Sequence, residues 1–468
     1  MATAQILPIT PALLDPAALL DALPPGPGRF LLESGAAGPA DVRRYSFAGA
    51  EPFLTLQTRG RDARISEEGT SRVLQGDPFS ILQSLLNRCS VPAPHDFPGF
   101  PGGAVGYLSY ELGTLVERVP AAPVDDLGLP EIYLGFYDVV LMIDHDRGEA
   151  ALLIGAPDGR EAEALSKALR WAEALQAAAP VPDDISRPEA GPARSSLSRT
   201  AYRRAAEQVL TYIGAGDIYQ ANLAQRFTCP YGGTGWDLYR RLRAVNPAPF
   251  AAFMEMGGWQ VVSGSPERFI TVRGRHIETR PIKGTRPRGA TPDEDQAQLA
   301  ELLASEKDAA ELVMIVDLQR NDIGRVCEYG SVRVPDLRRV EATPNVWHTV
   351  ATVEGRLRPE ATTSDILKAT FPGGSITGAP KVRAMEIIAE LEPVRRDVYT
   401  GAIGYLGFDG RLDLNIAIRT AIVKEGNVYF HAGGGIVADS DPGAEYRETL
   451  AKGSGIARAL GVSLADLA

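Results

Sequence analysis

Cysteine is scarce in this chain, and its scarcity excludes whole classes of structure. Cys89, Cys229 and Cys327 stand far apart and are odd in number among 468 residues. They predict neither a disulfide framework nor a cysteine-based metal site, and they suit a reducing compartment. The five histidines are scattered without the spacing of a zinc site.

Long apolar runs and clusters of positive charge are also missing. No segment approaches the roughly 18 to 20 unbroken apolar residues of a spanning helix, because the best stretch, Leu127 to Ile143, contains Glu131 and Asp138. Met1 to Pro25 does not read as a signal peptide. The net charge of −11, without a run of lysine or arginine, disfavours nucleic acid and anionic membranes as partners. We therefore expect a soluble, cytoplasmic protein.

The sequence pattern divides the chain into three regions. Residues 1–155 contain short strand-like runs between Gly, Pro and Asp turns. Residues 156–197 contain an alanine-rich helical segment and then a linker rich in Pro, Ser and Asp. In residues 198–462, hairpin patterns outnumber strand–helix–strand units. The pattern predicts an α+β fold of antiparallel β-sheets with helices packed on the outside.

Several elements are predicted individually from periodicity and turn residues. Helices are predicted at residues 160–178, 293–318, 379–391 and 442–460, and Ser198 or Thr200 is expected to cap a helix that ends at Gly214. Continuous strands are predicted at residues 132–143 and 414–423.

Two pairs of carboxylates stand at helical spacing. Asp308 and Glu311 are three residues apart, as are Glu445 and Glu448, and this spacing puts both members of a pair on one helix face. Two pairs facing each other would suit Mg²⁺, which binds through one or two carboxylates, its own waters and an anionic substrate. Each pair alone is more often a solvated helix face, and Glu448 with Lys452 is also an ordinary i,i+4 ion pair.

Two glycine-rich stretches can bring backbone close to a ligand. Residues 371–381 (FPGGSITGAPK) lack the Gly-Lys-Ser/Thr ending of a phosphate loop, and the free amides at the start of the following helix could receive a carboxylate as well as a phosphate. Gly433-Gly434-Gly435 is the second stretch. Either stretch alone is more often a turn, and a nucleotide-binding role is the weaker alternative.

Lys283 lies in the segment TRPIKGTR, between a proline and a glycine. A lysine held against apolar walls can lose its proton and act as a nucleophile. The alternative is a surface lysine in a hairpin, where Pro281 fixes φ and Gly284 permits the turn.

The order of several blocks identifies a family. From about Ser198 to Leu460 the chain resembles the chorismate-binding enzymes, which include the anthranilate, isochorismate, salicylate and aminodeoxychorismate synthases. The resemblance implies their sandwich of antiparallel sheets with helices outside. It rests on GDIYQ (216–220), SPERF (265–269), the Lys283 segment, VDLQRND (316–322), the loop at 371–381, IAIRT (416–420) and the helix at 445–452.

The resemblance also implies roles for residues. Lys283, Glu267 and His348 would be catalytic, with Glu267 as general acid and base. Gln220, Thr285, Tyr399, Arg419, Gly435 and Lys452 would bind chorismate. Glu311 and Glu448 would hold Mg²⁺, with Asp308 and Glu445 holding its waters.

Two positions distinguish members of the family. The resemblance gives the water-adding enzymes a lysine base where this chain has Gln220, which cannot take a proton from water. Anthranilate synthases typically have alanine at the position of Lys283, whereas aminodeoxychorismate synthases usually have lysine. Amination of chorismate at C4, by way of a covalent bond to Lys283, is therefore favoured over anthranilate formation.

Ammonia for such a reaction needs a source. No cysteine here lies in a glycine-flanked nucleophile turn, so a separate glutamine amidotransferase subunit is expected. A non-catalytic sensor of chorismate or tryptophan is the alternative from another class, and the intact set of catalytic residues argues against it.

A second ligand pocket is suggested near the N-terminus. Ser34, Pro247 and Phe250 resemble the two sides of the tryptophan pocket of anthranilate synthases, although the small residues Ala251 and Ala252 follow. Bound tryptophan, an empty pocket and plain core packing all stay open.

Overall fold

The described part of the chain comprises residues 4–34, 42–180 and 189–467 of a computed structural model. Most of the predicted proline-rich linker, residues 181–188, lies outside the described residues. No helix within the described ranges is long and apolar enough to cross a membrane.

The strands, numbered in chain order, are β1 (Gln5–Ile9), β2 (Phe30–Glu33), β3 (Tyr45–Gly49), β4 (Leu54–Arg59), β5 (Asp62–Glu67), β6 (Thr70–Gln75), β7 (Gly103–Leu108), β8 (Ile132–Tyr137), β9 (Val139–Asp144), β10 (Glu149–Ile154), β11 (Arg194–Ser195), β12 (Gln220–Pro230), β13 (Phe250–Met256), β14 (Trp259–Ser265), β15 (Arg268–Arg273), β16 (His276–Arg280), β17 (Ile282–Pro287), β18 (Arg333–Ala342), β19 (Val346–Arg356), β20 (Gly378–Ala379), β21 (Ala402–Gly407), β22 (Leu412–Ile416), β23 (Thr420–Lys424) and β24 (Asn427–Ile436).

The helices are α1 (Pro16–Asp21), α2 (Pro78–Arg88), α3 (Gly113–Val116), α4 (Glu161–Gln176), α5 (Arg199–Gly214), α6 (Gly235–Val245), α7 (Pro292–Ala304), α8 (Glu306–Gly324), α9 (Thr363–Thr370), α10 (Lys381–Leu391) and α11 (Pro442–Leu460).

The strands form two sheets of 12 strands each. The first runs β1-β10-β9-β3-β2-β13-β14-β23-β24-β12-β11, with β20 as a branch paired to β12. The second runs β17-β19-β16-β15-β22-β21-β7-β8-β4-β5-β6, with β18 as a branch paired to β19. Strands from the first and third sequence regions meet within each sheet, through β2 with β13 and through β7 with β21. The boundaries of the three sequence regions stay a prediction. The β-rich regions 1–155 and 198–462 contribute strands to the same two sheets.

The core has three layers, as the predicted sandwich requires. Between the sheets lies an aromatic layer in which the ring of Phe47 is 5.8 Å from that of Tyr405 and the ring of Phe30 is 4.7 Å from that of Tyr137. A second apolar layer joins the first sheet to α4, α5, α6 and α11. A third joins the second sheet to α2, α8 and α9. The predicted α+β sandwich with helices outside is confirmed.

Local sequence signals explain where several helices begin and end. Ser198 caps α5, because its side chain accepts a hydrogen bond from the Ala201 amide. Asp441 caps α11, which has a proline in its first turn and ends at Gly461 with φ of 77°. The Ser198 cap and the bounds of α11 agree with the predicted cap and with the helix predicted at 442–460.

Three predicted elements are divided in the structure. The helix predicted at 293–318 is two helices, α7 and α8, because Ser305 takes an extended conformation and caps α8. The strand predicted at 132–143 is β8 and β9, separated at buried Asp138. The strand predicted at 414–423 breaks before Arg419, whose φ is 50°. The pattern of apolar residues continues through each of these three breaks, so the sequence pattern did not predict them.

Candidate active site

Lys283 lies on β17, which pairs with β19. Lys283 is opposite Thr349 and Thr285 is opposite His348, with a bulge between them at Gly284. Gly284 has φ of 79°, and a Cβ there would lie 3.1 Å from the Cβ of Asp308. The glycine therefore lets the strand change register against the start of α8 and carries Lys283 towards that helix.

The Lys283 amine is enclosed and only loosely paired. Its Nζ lies 4.0 Å from Glu311 Oε2, and the side chain is 13% exposed. It donates a long hydrogen bond of 3.4 Å to the Ser375 carbonyl, in the glycine-rich loop. Burial lowers the pKa of Lys283, although the charges of Glu311 and Glu267 oppose this shift. The prediction of a surface hairpin lysine is excluded by this burial.

Glu267 lies in the turn between β14 and β15 and is buried. Its amide donates to Ser265 Oγ at 3.3 Å, and Ser265 in turn donates to the Ile416 carbonyl at 2.6 Å. Burial raises the pKa of Glu267 to about 7, against the opposing charge of Lys283. At neutral pH a substantial fraction of this carboxyl group carries a proton that it can donate.

The four predicted metal-site carboxylates come from α8 and α11. Asp308 pairs with Arg286 at 3.3 Å, and Glu445 accepts a hydrogen bond of 2.6 Å from Ser440. Burial raises the pKa of Glu311 and of Glu445, and the Glu448 charge adds to both shifts. Glu311 on α8 and Glu448 on α11 are therefore near enough to interact electrostatically.

Glu448 differs from the other carboxylates. Its Oε1 lies 2.6 Å from Lys452 Nζ, and Lys452 also donates to the Gly433 carbonyl at 3.1 Å. Burial acts to raise the pKa of Glu448, but Lys452 and the more distant lysines together lower it. Lys452 is thus placed beside the acidic cluster.

The donor set can be tested for its fit to Mg²⁺. No three His, Cys, Asp or Glu side chains converge as a ready-made metal cage within the described ranges. Mg²⁺ does not require one, because it typically uses one or two carboxylates and keeps several waters. A Cβ at Gly434 would come within 3.2 Å of Glu445, 3.4 Å of Lys452 Nζ and 3.5 Å of Glu448, so a glycine is what keeps the space beside these charged groups open. The residues fit a hydrated divalent cation.

His348 lies beside Thr285 and near the charge of Arg419. His348 Nδ1 is 2.9 Å from Thr285 Oγ1. Burial and the Arg419 charge lower the pKa of His348 to about 3, so the ring is neutral at pH 7. Burial also lowers the pKa of Arg419, and no charge among the described residues offsets it. A half-buried guanidinium without a carboxylate partner among the described residues is suited to an anionic ligand.

Tyr399, Gln220 and Gly435 complete the predicted set. The Tyr399 ring stacks on His431 with 5.1 Å between centroids. The Gln220 side chain is fully buried, and its amide atoms have no partner among the described residues. A Cβ at Gly435 would lie 2.3 Å from Gln220 Nε2, so glycine is needed for this close approach.

Sequence reasoning missed two residues at the site. Asn222 and Arg396 hold the loop at 373–377 in place through hydrogen bonds to its carbonyls. Neither residue belongs to a periodic pattern or a spaced motif, because each side chain bonds to backbone carbonyls of a loop that is distant in sequence from it.

The predicted second pocket is separate from this site. Ala251 pairs with Glu33, which makes Phe250 and Ser34 neighbours across β13 and β2. Ser34 lines a cavity of about 1150 Å³ together with Arg268, and the Arg268 guanidinium lies 5.1 Å from the Phe250 ring centroid. Pro247 is half-buried nearby in sequence. Tryptophan binding there stays a prediction.

Comparisons with known proteins agree on one family. The model of the chorismate binding enzymes matches residues 31–458. Aminodeoxychorismate synthase component 1 of Klebsiella aerogenes is 47% identical over 427 residues, covering 91% of this chain and 92% of the relative. The corresponding protein of Escherichia coli K12 is 44% identical over 429 residues, again covering 91% and 92%.

The crystal structure of anthranilate synthase component I from Streptococcus pneumoniae superposes with a TM-score of 0.77 at 35% identity, covering 88% of this chain and 92% of that one. Family match, identity and fold lead to the same result, and the chain therefore belongs to the chorismate-binding enzymes.

Proposed function

We propose that this enzyme aminates chorismate at C4 to give 4-amino-4-deoxychorismate, a precursor of 4-aminobenzoate and folate. The observation that carries the proposal is the Lys283 amine, enclosed beside Glu267 and Glu311 with its pKa lowered by burial. A nucleophilic amine needs this combination of burial and a nearby acid. The names of the relatives from Klebsiella aerogenes and Escherichia coli support the same reaction.

Binding would use the two oppositely charged sides of the cleft. Arg419 and Tyr399 would hold the enolpyruvyl carboxylate, since the half-buried guanidinium has no carboxylate partner among the described residues. Backbone at Thr285 and Gly435 would support the ring carboxylate, with Gln220 and Lys452 as polar neighbours. His348, neutral because of its low pKa, would act as a hydrogen-bonding group rather than as a charge.

The chemistry would proceed as two displacements. The Lys283 nitrogen forms a bond to C2, both ring double bonds shift along the conjugated diene, and the C4–O bond breaks while Glu267 donates a proton, so that water leaves. Ammonia then forms a bond to C4, both double bonds shift back, and the C2–N bond breaks to release Lys283 as a neutral amine, while the Glu267 carboxylate takes up the proton that the new ammonium group loses. Covalent catalysis divides one difficult substitution into two easier ones.

Mg²⁺ would be held by Glu311 and Glu448, with Asp308 and Glu445 bonding its waters. When bound, it would supply positive charge for the ring carboxylate of the substrate. The chain's own contribution is a space bordered by Gly434 and by carboxylates whose mutual repulsion a divalent cation relieves.

A glutamine amidotransferase subunit would supply the ammonia. The relatives' designation as component 1 is consistent with a partner component. The three cysteines are buried, and burial raises the pKa of each thiol. None of them is suited to act as the nucleophile of a glutaminase.

Product analysis tests the proposal. The purified chain is incubated with chorismate, Mg²⁺ and an ammonium salt, and each reaction is divided into portions with and without aminodeoxychorismate lyase. We expect 4-aminobenzoate only in the portion with lyase, and far less of it from Lys283→Ala than from the parent enzyme. Formation of anthranilate without lyase would instead identify the chain as anthranilate synthase component I. That alternative is supported by the likeness to the Streptococcus pneumoniae structure. Tight chorismate binding without either product would indicate a sensor.

A further inference from the structure

Asn222 lies on β12 at the floor of the cleft, opposite Gly435 on β24. Its side-chain Nδ2 donates a hydrogen bond of 3.0 Å to the Ser375 carbonyl. The Lys283 amine donates to the same carbonyl oxygen at 3.4 Å. One buried oxygen therefore receives both a fixed amide and the proposed nucleophile.

Three successive carbonyls of the glycine-rich loop are held by this part of the molecule. Besides the Ser375 carbonyl, the Thr377 carbonyl accepts from the Asn222 amide at 2.8 Å, and the Ile376 carbonyl accepts from Arg396 Nη1 at 3.1 Å. Asn222 thus binds the loop through its side chain and its backbone at once.

Asn222 is itself fixed from below by a buried ion pair. Arg396 Nη2 donates to the Asn222 carbonyl at 2.8 Å. The same guanidinium makes two hydrogen bonds to Glu392, of 2.8 and 2.6 Å. A bidentate pair of this kind is geometrically rigid. The Asn222 backbone therefore has little freedom to move relative to the loop.

A carbonyl oxygen has two lone pairs, and the direction of each is set by the peptide plane. With one lone pair bonded to a rigid amide, the second keeps a constant direction towards Lys283. Without the amide, the Ser375 peptide could tilt and the amine would lose its orientation. Small errors in the placement of a reacting atom reduce turnover strongly.

We propose that Asn222 is a positioning residue that holds the Ser375 carbonyl as the fixed acceptor for the Lys283 amine. The inference rests on the proposed function, because it assigns Asn222 a role in aligning the nucleophile. It leaves Asn222 out of substrate binding, so its removal should affect turnover and not affinity.

The test replaces Asn222 with alanine, which removes the amide, and with aspartate, which keeps the shape but puts an acceptor against the carbonyl. We expect N222A to lower kcat about tenfold, as the loss of one hydrogen bond in the transition state implies. N222D should lower it further, because two acceptors then face each other. The Kd of chorismate, measured by titration calorimetry, should stay within about twofold of the parent value.

Tyr202→Phe is the matched control. The Tyr202 hydroxyl donates one buried hydrogen bond of 3.2 Å to the Leu223 carbonyl, the next residue on the same strand. Its removal should cost a similar amount of stability in thermal unfolding without changing kcat. If Y202F slows turnover as much as N222A at equal loss of stability, the positioning role is wrong and strand packing alone explains the effect.

Two further outcomes overturn the inference, namely kcat unchanged in both well-folded Asn222 variants, or kcat and chorismate affinity falling by equal factors. The proposed function fails separately, through Lys283→Ala retaining full turnover. Where Lys283→Ala leaves measurable residual turnover, adding N222A to it should lower the rate less than twofold. If N222A lowers the rate of the Lys283→Ala variant as much as that of the parent enzyme, Asn222 acts independently of Lys283 and the inference is overturned.

Discussion

Lys167 and Lys283 are both lysines with largely enclosed side chains, and they differ in how closely their amines are paired. Their side chains are 11% and 13% exposed. Lys167, on α4, donates to Asp138 at 2.7 Å and to the Glu51 carbonyl at 2.8 Å. Lys283 reaches its nearest carboxylate only at 4.0 Å. Burial is common to both, but close pairing is found at Lys167 and absent at Lys283.

Two arginines, the buried Arg396 and the half-buried Arg419, show the same contrast. Arg396 bonds to Glu392 and to carbonyls of two other segments, whereas Arg419 has no charge among the described residues to offset its burial. A buried charge with short bonds on all sides fixes structure, since breaking such a pair is costly. A buried charge without them is available to a ligand.

The sharpest test of this contrast is Lys283→Ala. We expect kcat for chorismate amination to fall about a thousandfold or more, because the reaction would lose its nucleophile. Thermal stability should not fall, since the variant removes a charge that is enclosed but loosely paired. Steady-state assays with ammonia and differential scanning calorimetry measure the two quantities. A marked loss of stability in this variant would contradict the contrast.

Lys167→Ala should behave in the opposite way. It leaves Asp138 buried with a single remaining cation, Arg160 at 3.2 Å, and should lower the free energy of unfolding by about 3 kcal/mol. Turnover per folded molecule should be unchanged. Denaturant unfolding followed by circular dichroism, with kcat measured on the folded fraction, tests this expectation. A specific loss of kcat would show that Lys167 belongs to the catalytic region after all.

The carboxyl group of Glu267, near Lys283, predicts that turnover of chorismate depends on pH. Because its pKa is raised to about 7 and the protonated form is the acid, kcat/KM for chorismate, which reports groups of the free enzyme, should fall as pH rises through about 7. Glu267→Gln should remove this limb and lower kcat about 100-fold. The profile is recorded over roughly pH 6 to 9 at constant free ammonia. A limb that persists in the variant would assign the titration to another group.

Arg419→Lys should have the smallest effect of the four. The charge is kept but the planar fork is lost, so KM for chorismate should rise about tenfold with little change in stability. Arg396→Lys serves as the structural counterpart and should lower the unfolding temperature instead. If Arg419→Lys destabilises the protein while leaving KM unchanged, the guanidinium is structural and the contrast between the two arginines fails.

The sequence allowed much of the site to be predicted, because its signals are short-range. Helical spacing put Asp308 with Glu311 and Glu445 with Glu448, and the family resemblance brought Lys283 and Glu267 to the same cleft. The limits of long elements were harder to predict. The break at Ser305 between α7 and α8 and the break before Arg419 follow from local backbone conformations that apolar periodicity does not register.

Sequence alone determined the family and the α+β sandwich and predicted which side chains would react, since these depend on residue types at fixed spacing. Tertiary structure alone decided which buried charges are paired and which are available. It also joined the two β-rich regions in shared sheets and placed the Asn222 amide and the Lys283 amine on one carbonyl oxygen. The physical reason is that hydrogen-bond pairing and pKa depend on distances of a few ångströms between residues that are far apart along the chain.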